Sequence, residues 1–210
     1  MDNFVNTHFW LEMQNIWPHL NGPLRIMRYY LFRFMVVFQY GGIYLDMDVN
    51  LTKPLIPLLD HSCAFPYEEH ISSDLCEQQR PYGRWPWPEI NCSISFPQIG
   101  NFAFGAGKHH LFLKSFISDF AVNWIDKTYS RQYNDVFMLT SIGSDAISHF
   151  HHKSMHFLAA PNEVSKYWAA KNCTIIYASE SKEKFHFGKF GTHNRSPRDK
   201  LPYELYNKKI

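Results

Sequence analysis

The chain has 210 residues, 45% hydrophobic and 17% aromatic, with a net charge of +2. That length suits one domain and argues against a second, the composition is that of a folded chain, and the near-neutral mix of charges disfavours nucleic acid as a partner. The apolar run Phe34 to Phe38 is far too short to span a bilayer, and Met1-Asp2-Asn3-Phe4 lacks the basic start of a signal peptide, so no membrane span is expected within the chain.

Apolar residues at helical spacing (Phe9, Trp10, Met13, Ile16, Trp17, Leu20) predict a helix from Phe9 to about Leu20, ended by Asn21-Gly22-Pro23. A second helix is expected from Pro23 to about Tyr40, apolar nearly all round and therefore buried, with Gly41 as its stop. Arg33 lies deep in that pattern and needs a carboxylate or phosphate partner. Ile43 to Leu45 reads as a buried strand that Val49 to Leu51 continues. Thr52 to Leu59 is a turn or short helical piece, and Cys63 to Pro66 is a strand. From Tyr67 to Pro88 the periodicity fails, and the prolines with Tyr82, Trp85 and Trp87 predict a long loop over about 67–90, a candidate lid. Two strands, Asn91 to Phe96 and Asn101 to Gly105, should flank a turn at Pro97 to Gly100, followed by a helix from His110 to Ile125. Val136 to Leu139 is short and apolar, and a helix should start at Gly143-Ser144-Asp145, with Asp145 as its N-terminal capping acid. Strands at Met155 to Ala160, Thr174 to Ala178 and Phe185 to Phe187 complete an α/β or α+β pattern without internal repeats.

Four cysteines lack the CxxC spacing of a zinc knot. Four Asn-X-Ser/Thr sequons, at Asn50, Asn91, Asn172 and Asn194, exceed the one or two that chance would give by a rough count, which hints at a secretory lumen.

The stretch that carries chemistry is Gly41-Gly42-Ile43-Tyr44-Leu45-Asp46-Met47-Asp48-Val49. If the strand holds past Leu45, two carboxylates spaced i, i+2 face one pocket, and two hard oxygens there suit Mg²⁺ or Mn²⁺, which in turn holds phosphates. Ordinary turn acids are the bland alternative, but a buried strand behind a Gly-Gly turn favours a site. Trp85 and Trp87 are expected to anchor a loop rather than stack on a sugar. His149, His151 and His152 are read as histidines favoured by a helix end.

Residues Arg33 to Asp48, RFMVVFQYGGIYLDMD, resemble glycosyltransferase family 32, the sugar-binding region with the DXD motif, which includes α-1,6-mannosyltransferases and α-1,4-galactosyltransferases. Weaker similarities at Asn101 to Leu113, Thr140 to Ser148 and Phe185 to His193 follow in the family's order and extend the resemblance over about residues 24–193. The resemblance implies a GT-A-like mixed sheet flanked by helices, a UDP- or GDP-hexose donor, Mn²⁺ or Mg²⁺, and retaining transfer to a glycan or glycolipid acceptor. A Golgi or other secretory lumen would be its setting in a eukaryote, given a membrane anchor upstream. By position, Arg33, Gly41, Gly42, Tyr44 and Asp46 would bind the donor. Asp46 and Asp48 would form the metal motif, Asp46 facing the donor's ribose or sugar and Asp48 ligating the metal that bridges the diphosphate. His186, with His193 as second choice, matches the family's C-terminal histidine near the metal. This chain departs from the family at Tyr30, where an aspartate is usual, and at Ile142-Gly143-Ser144, which replaces Thr-Gly-Pro. The family's first nucleotide-binding strand should lie upstream of the helix, where only residues 1–23 stand, so that strand is expected to be missing. A non-catalytic sugar- or partner-binding relative is the competing reading, and a metal-dependent phosphoester hydrolase ranks third because it needs further ligands.

Overall fold

The computed structural model describes residues 1–51, 54–56, 58, 61–82, 84–85, 87, 90–127, 142–157, 174–176 and 191–193. The N-terminal segment forms two short helices, α1 (Asp2–His8) and α2 (Trp10–Met13), and a 3-10 turn at Trp17–His19, rather than the single helix expected. The break falls at Phe9, whose backbone (φ −135, ψ 18) leaves the helical region. Of the apolar residues that predicted one helix, Phe9, Met13, Ile16, Trp17 and Leu20 enter the main core, and Trp10 is exposed. Arg28 of α3 (Arg25–Tyr40) ties this segment down, bonding the Trp17 carbonyl at 2.8 Å and Asp2 at 3.4 Å.

Helix α3 begins after a 3-10 turn at Gly22–Leu24 and ends at Gly41, close to the expected bounds. Its burial is one-sided: Met27, Leu31, Phe34, Met35 and Val37 are buried, whereas Ile26 and Tyr29 are exposed. At Gly41 the backbone turns to φ 73, ψ −178, and a Cβ there would lie 2.9 Å from the Lys108 backbone nitrogen. Only glycine meets both demands.

From this turn runs β1 (Gly42–Leu45), at the edge of a mixed sheet whose bonded order is β1-β5-β3-β4, with β3 (Cys63–Ile71), β4 (Phe96–Ile99) and β5 (Ala103–Ala106). These pairs are antiparallel, and β6 (Thr174–Ile176) joins β3 in parallel. The carbonyls of Ser62 and Pro66, four apart and so on one side of the pleat, accept from Gly107 and Gly100. Residues 96–106 therefore run along one edge of β3, interrupted by a three-residue bulge at Gly100 to Phe102. Pro97–Ile99 are strand rather than the expected turn, because β4 and β5 both find partners on β3 and not on each other.

Alternation along β1 divides the core. Tyr44 packs with α3 and α5 (Leu111–Lys127) on one face, where Phe34, Phe65 and Phe104 stack at centroid distances of 4.7 and 5.1 Å. Ile43 and Leu45 pack with Leu58, Phe102 and Ala103 on the other. Each fully buried Phe contributes about 2–3 kcal/mol of transfer free energy, which is where much of the aromatic content goes.

Within the segment expected as a loop over 67–90, residues 67–82 form regular elements. β3 extends through Ile71, Ser72 caps α4 (Ser73–Gln79) by accepting the Leu75 N–H, and a 3-10 turn follows at Arg80–Tyr82. Cys76 and Cys92 are disulfide-bonded and form, with Ile71, Trp85 and Ile90, a satellite core. Cys63 is also disulfide-bonded. Trp85 is an anchor, as read, buried against Phe96; Trp87 stacks on His149 at 4.1 Å. The prolines and charges hid this fold because its stability comes from a cross-link and a small core rather than from periodicity.

Helix α6 (Ser144–Phe157) starts as expected but takes in Met155–Phe157, which had read as a strand. Asp145 stands in the first turn of α6, the helix end that favours an acid. It is fully buried and pairs with Arg84 through two bonds, at 2.6 and 3.0 Å, while Gln98 donates to it at 2.9 Å. The short apolar run Val136 to Leu139 and the expected strand at Phe185 to Phe187 lie outside the described residues. Among the described residues, no helix is long and apolar enough to cross a membrane.

Candidate functional site

The two acids do not share a strand face. β1 ends at Leu45; the Asp46 N–H still bonds to the Phe102 carbonyl at 2.7 Å, and the chain then turns, with Val49 N–H closing onto the Asp46 carbonyl at 3.0 Å. Asp46 is the last residue of the ladder and Asp48 sits in the turn, so the i, i+2 alternation of a strand is lost between them. Asp46 is half-buried, whereas Met47 and Asp48 are exposed. After the turn, β2 (Val49–Leu51) pairs with β7 (Gly191–His193) in a separate two-stranded sheet, and does not continue β1.

Asp46 follows Tyr44 onto the α3 face of the sheet, and there it meets Arg33. The Arg33 Nη1 lies 3.3 Å from Asp46 Oδ1, and the Tyr44 hydroxyl donates to the same oxygen at 2.5 Å. Burial pushes the Tyr44 phenol above its ordinary value, and its bond to Asp46 adds to the rise. Arg33 thus finds the carboxylate that its position in the helix demanded. Its side chain is only 6% exposed, yet Nε and Nη2 are buried without a hydrogen bond among the described residues. Its guanidinium lies over the Tyr30 ring at 4.3 Å and within 5.3 Å of the Tyr44 ring. Tyr30 therefore covers Arg33 by cation–π contact where an acid at that position would pair with it.

The structure brings Arg33, Tyr44 and Asp46 into contact and sets Asp48 two residues on. Gly41 and Gly42 are not part of that cluster. They stand at the opposite end of β1, about 13–17 Å of extended chain from Asp46, and what they shape is the helix-to-strand turn. His186 lies outside the described residues. His193, the second choice, is placed by its backbone: it pairs with Val49 across β2 and β7, one residue from Asp48. Among the described residues no group of three or more His, Cys, Asp or Glu side chains is placed to hold a metal. A carboxylate or two completed by substrate phosphates and water is the usual arrangement for Mg²⁺ and its relatives, and Asp46 with Asp48 fit that donor set but not an all-protein cage. Arg84 and its buried pair with Asp145 escaped the sequence reading, since an arginine in an aperiodic segment carries no signal of its partner.

No curated protein matches the chain. Residues 2–65 match the family described as glycosyltransferase sugar-binding region containing DXD motif. The match spans α1 to the start of β3, so it takes in Arg33, the Gly-Gly turn, Tyr44 and the acidic turn. Over these residues the chain is similar to the DXD-containing sugar-binding region of glycosyltransferases.

Proposed function

We propose that the protein transfers a hexose from a UDP- or GDP-sugar to a glycan or glycolipid acceptor, with retention and with Mn²⁺ or Mg²⁺. The observation that carries the reading is the cluster at the carboxyl end of β1: a buried arginine with two nitrogens that have no hydrogen bond among the described residues, beside a carboxylate, with a second, exposed carboxylate two residues on. Buried donors without acceptors are rare in folded proteins, and cationic ones suit an anionic ligand. Retention, the hexose and the acceptor class rest on the family resemblance.

A divalent ion held at Asp48 would act as a Lewis acid on the departing diphosphate. The chain's own residues do the positioning. Tyr44 and Arg33 both bond to Oδ1 of Asp46, which fixes the carboxylate and leaves Oδ2 to accept a hydroxyl of the donor's ribose or sugar. Asp48, exposed on a turn closed by the Val49–Asp46 bond, would be the residue that holds the cation. Arg33 holds positive charge on the same side, where negative charge grows on the leaving group. A C-terminal histidine would complete the site, and the pairing of His193 with Val49 supports His193 in that place.

Calorimetric titration with UDP- and GDP-hexoses, with and without Mn²⁺, tests the reading. Binding that needs Mn²⁺ and disappears in Asp48→Ala supports it; binding indifferent to both refutes it.

A further inference from the structure

Asn101 occupies the middle of the bulge that separates β4 from β5. Both neighbours are held: the Gly100 N–H bonds to the Pro66 carbonyl at 2.9 Å, and the Phe102 carbonyl accepts the Asp46 N–H at 2.7 Å. The Phe102 ring folds back over Gly100, where a Cβ would lie 2.4 Å from it, and its burial among Leu58 and Ala103 locks the bulge. Asn101 is thereby fixed one residue from the backbone seat of the first acid. Its side-chain Nδ2 is buried, yet carries no hydrogen bond among the described residues. An amide donor removed from water without an acceptor is costly, and in native structures such an atom points to a missing partner.

We infer that Asn101 Nδ2 donates a hydrogen bond to an oxygen of the bound nucleotide sugar, making Asn101 a further donor-site residue beside Asp46; this rests on the donor-site reading above. The bulge has a purpose on this account, because an unbroken β4–β5 strand would spend these residues in the ladder with β3. An oxygen acceptor is available on both the diphosphate and the hexose.

The test is titration of the wild type, Asn101→Asp and Asn101→Ala with UDP, GDP, UDP-glucose, UDP-galactose and GDP-mannose in MnCl₂. Asn101→Asp keeps the shape and replaces the donor with an anionic acceptor. About a tenfold loss of affinity is expected in Asn101→Ala, from one lost hydrogen bond, and a larger loss in Asn101→Asp. A loss shared by the nucleoside diphosphates places the contact on the diphosphate; a loss confined to nucleotide sugars places it on the hexose. Should either variant fold poorly, the wild-type side-chain amide resonance of Asn101 in a ¹⁵N spectrum decides, and it shifts on ligand addition if the bond forms. Wild-type affinity in both variants, with binding still lost in Asp48→Ala, overturns the role of Asn101 and leaves the donor site standing. Wild-type binding that ignores Mn²⁺ and Asp48 overturns both.

Discussion

Replacing each glycine of the turn in front of β1 by alanine separates two physical effects. Both positions have positive φ, 73 at Gly41 and 109 at Gly42. An added Cβ at Gly41 meets the Lys108 backbone nitrogen at 2.9 Å, whereas at Gly42 it meets nothing within 4 Å. Backbone strain alone costs about 1–3 kcal/mol at either site. Gly41→Ala adds an overpacking cost of about 1–3 kcal/mol, because the atom it strikes is main chain. That chain cannot retreat freely: the neighbouring His109 N–H is bonded to the Phe38 carbonyl at the end of α3, at 2.7 Å. Gly41→Ala should therefore be the worse variant by about 2 kcal/mol, which for a chain of this length is a melting-temperature gap of roughly 5 °C. Urea unfolding followed by circular dichroism measures the difference directly. Equal midpoints, or the reverse order, would refute the claim that close approach to Lys108 dictates the first glycine.

Cys76→Ser with Cys92→Ser opens a loop of sequence separation 16 and should cost about 3 kcal/mol by the loop-closure relation, read as a lower urea midpoint that matches the wild type under reductant if Cys63 contributes little. Arg84→Met strands the buried Asp145 carboxylate and should cost about 3–5 kcal/mol, much of it recovered in Arg84→Met with Asp145→Leu; a double-mutant cycle without coupling would contradict the pair. Tyr44 has a folded-state pKa raised above 10.0, so the stability it contributes is complete below about pH 10 and is lost as pH rises through the higher folded value. In Tyr44→Phe that alkaline decline should flatten, and unfolding curves from pH 9 to 11 would show it.

Much of the site was legible in the sequence because its signals are local. A glycine pair after an apolar helix dictates a turn, three apolar residues dictate a short strand, and the acids follow directly. The need of Arg33 for a carboxylate was also legible, since a buried guanidinium demands one, though the geometry was required to show that the carboxylate is Asp46. What could not be read was set by non-local pairing. β2 looked like a continuation of β1 and instead pairs with Gly191–His193, far away in sequence. The 67–90 segment looked like a loop because its order comes from Cys76–Cys92 and from Arg84 reaching Asp145, 61 residues on. The strand at 96–99 was misplaced by several residues because β3, not the hydrophobic pattern, sets its register. In the sequence Asn101 marks only the start of a strand and of a weak similarity, while its buried amide, without a hydrogen bond among the described residues, depends on the bulge that holds it.

The central claim is that the turn after β1 seats a divalent cation shared with a nucleoside diphosphate. Titration of Mn²⁺ followed by the electron paramagnetic resonance signal of the free ion, with and without UDP or GDP, tests it most directly. The account predicts that the protein withdraws Mn²⁺ from solution more tightly with nucleoside diphosphate than without it, and that Asp48→Ala abolishes this gain. Equal Mn²⁺ uptake by the wild type and Asp48→Ala in the presence of nucleotide would contradict it.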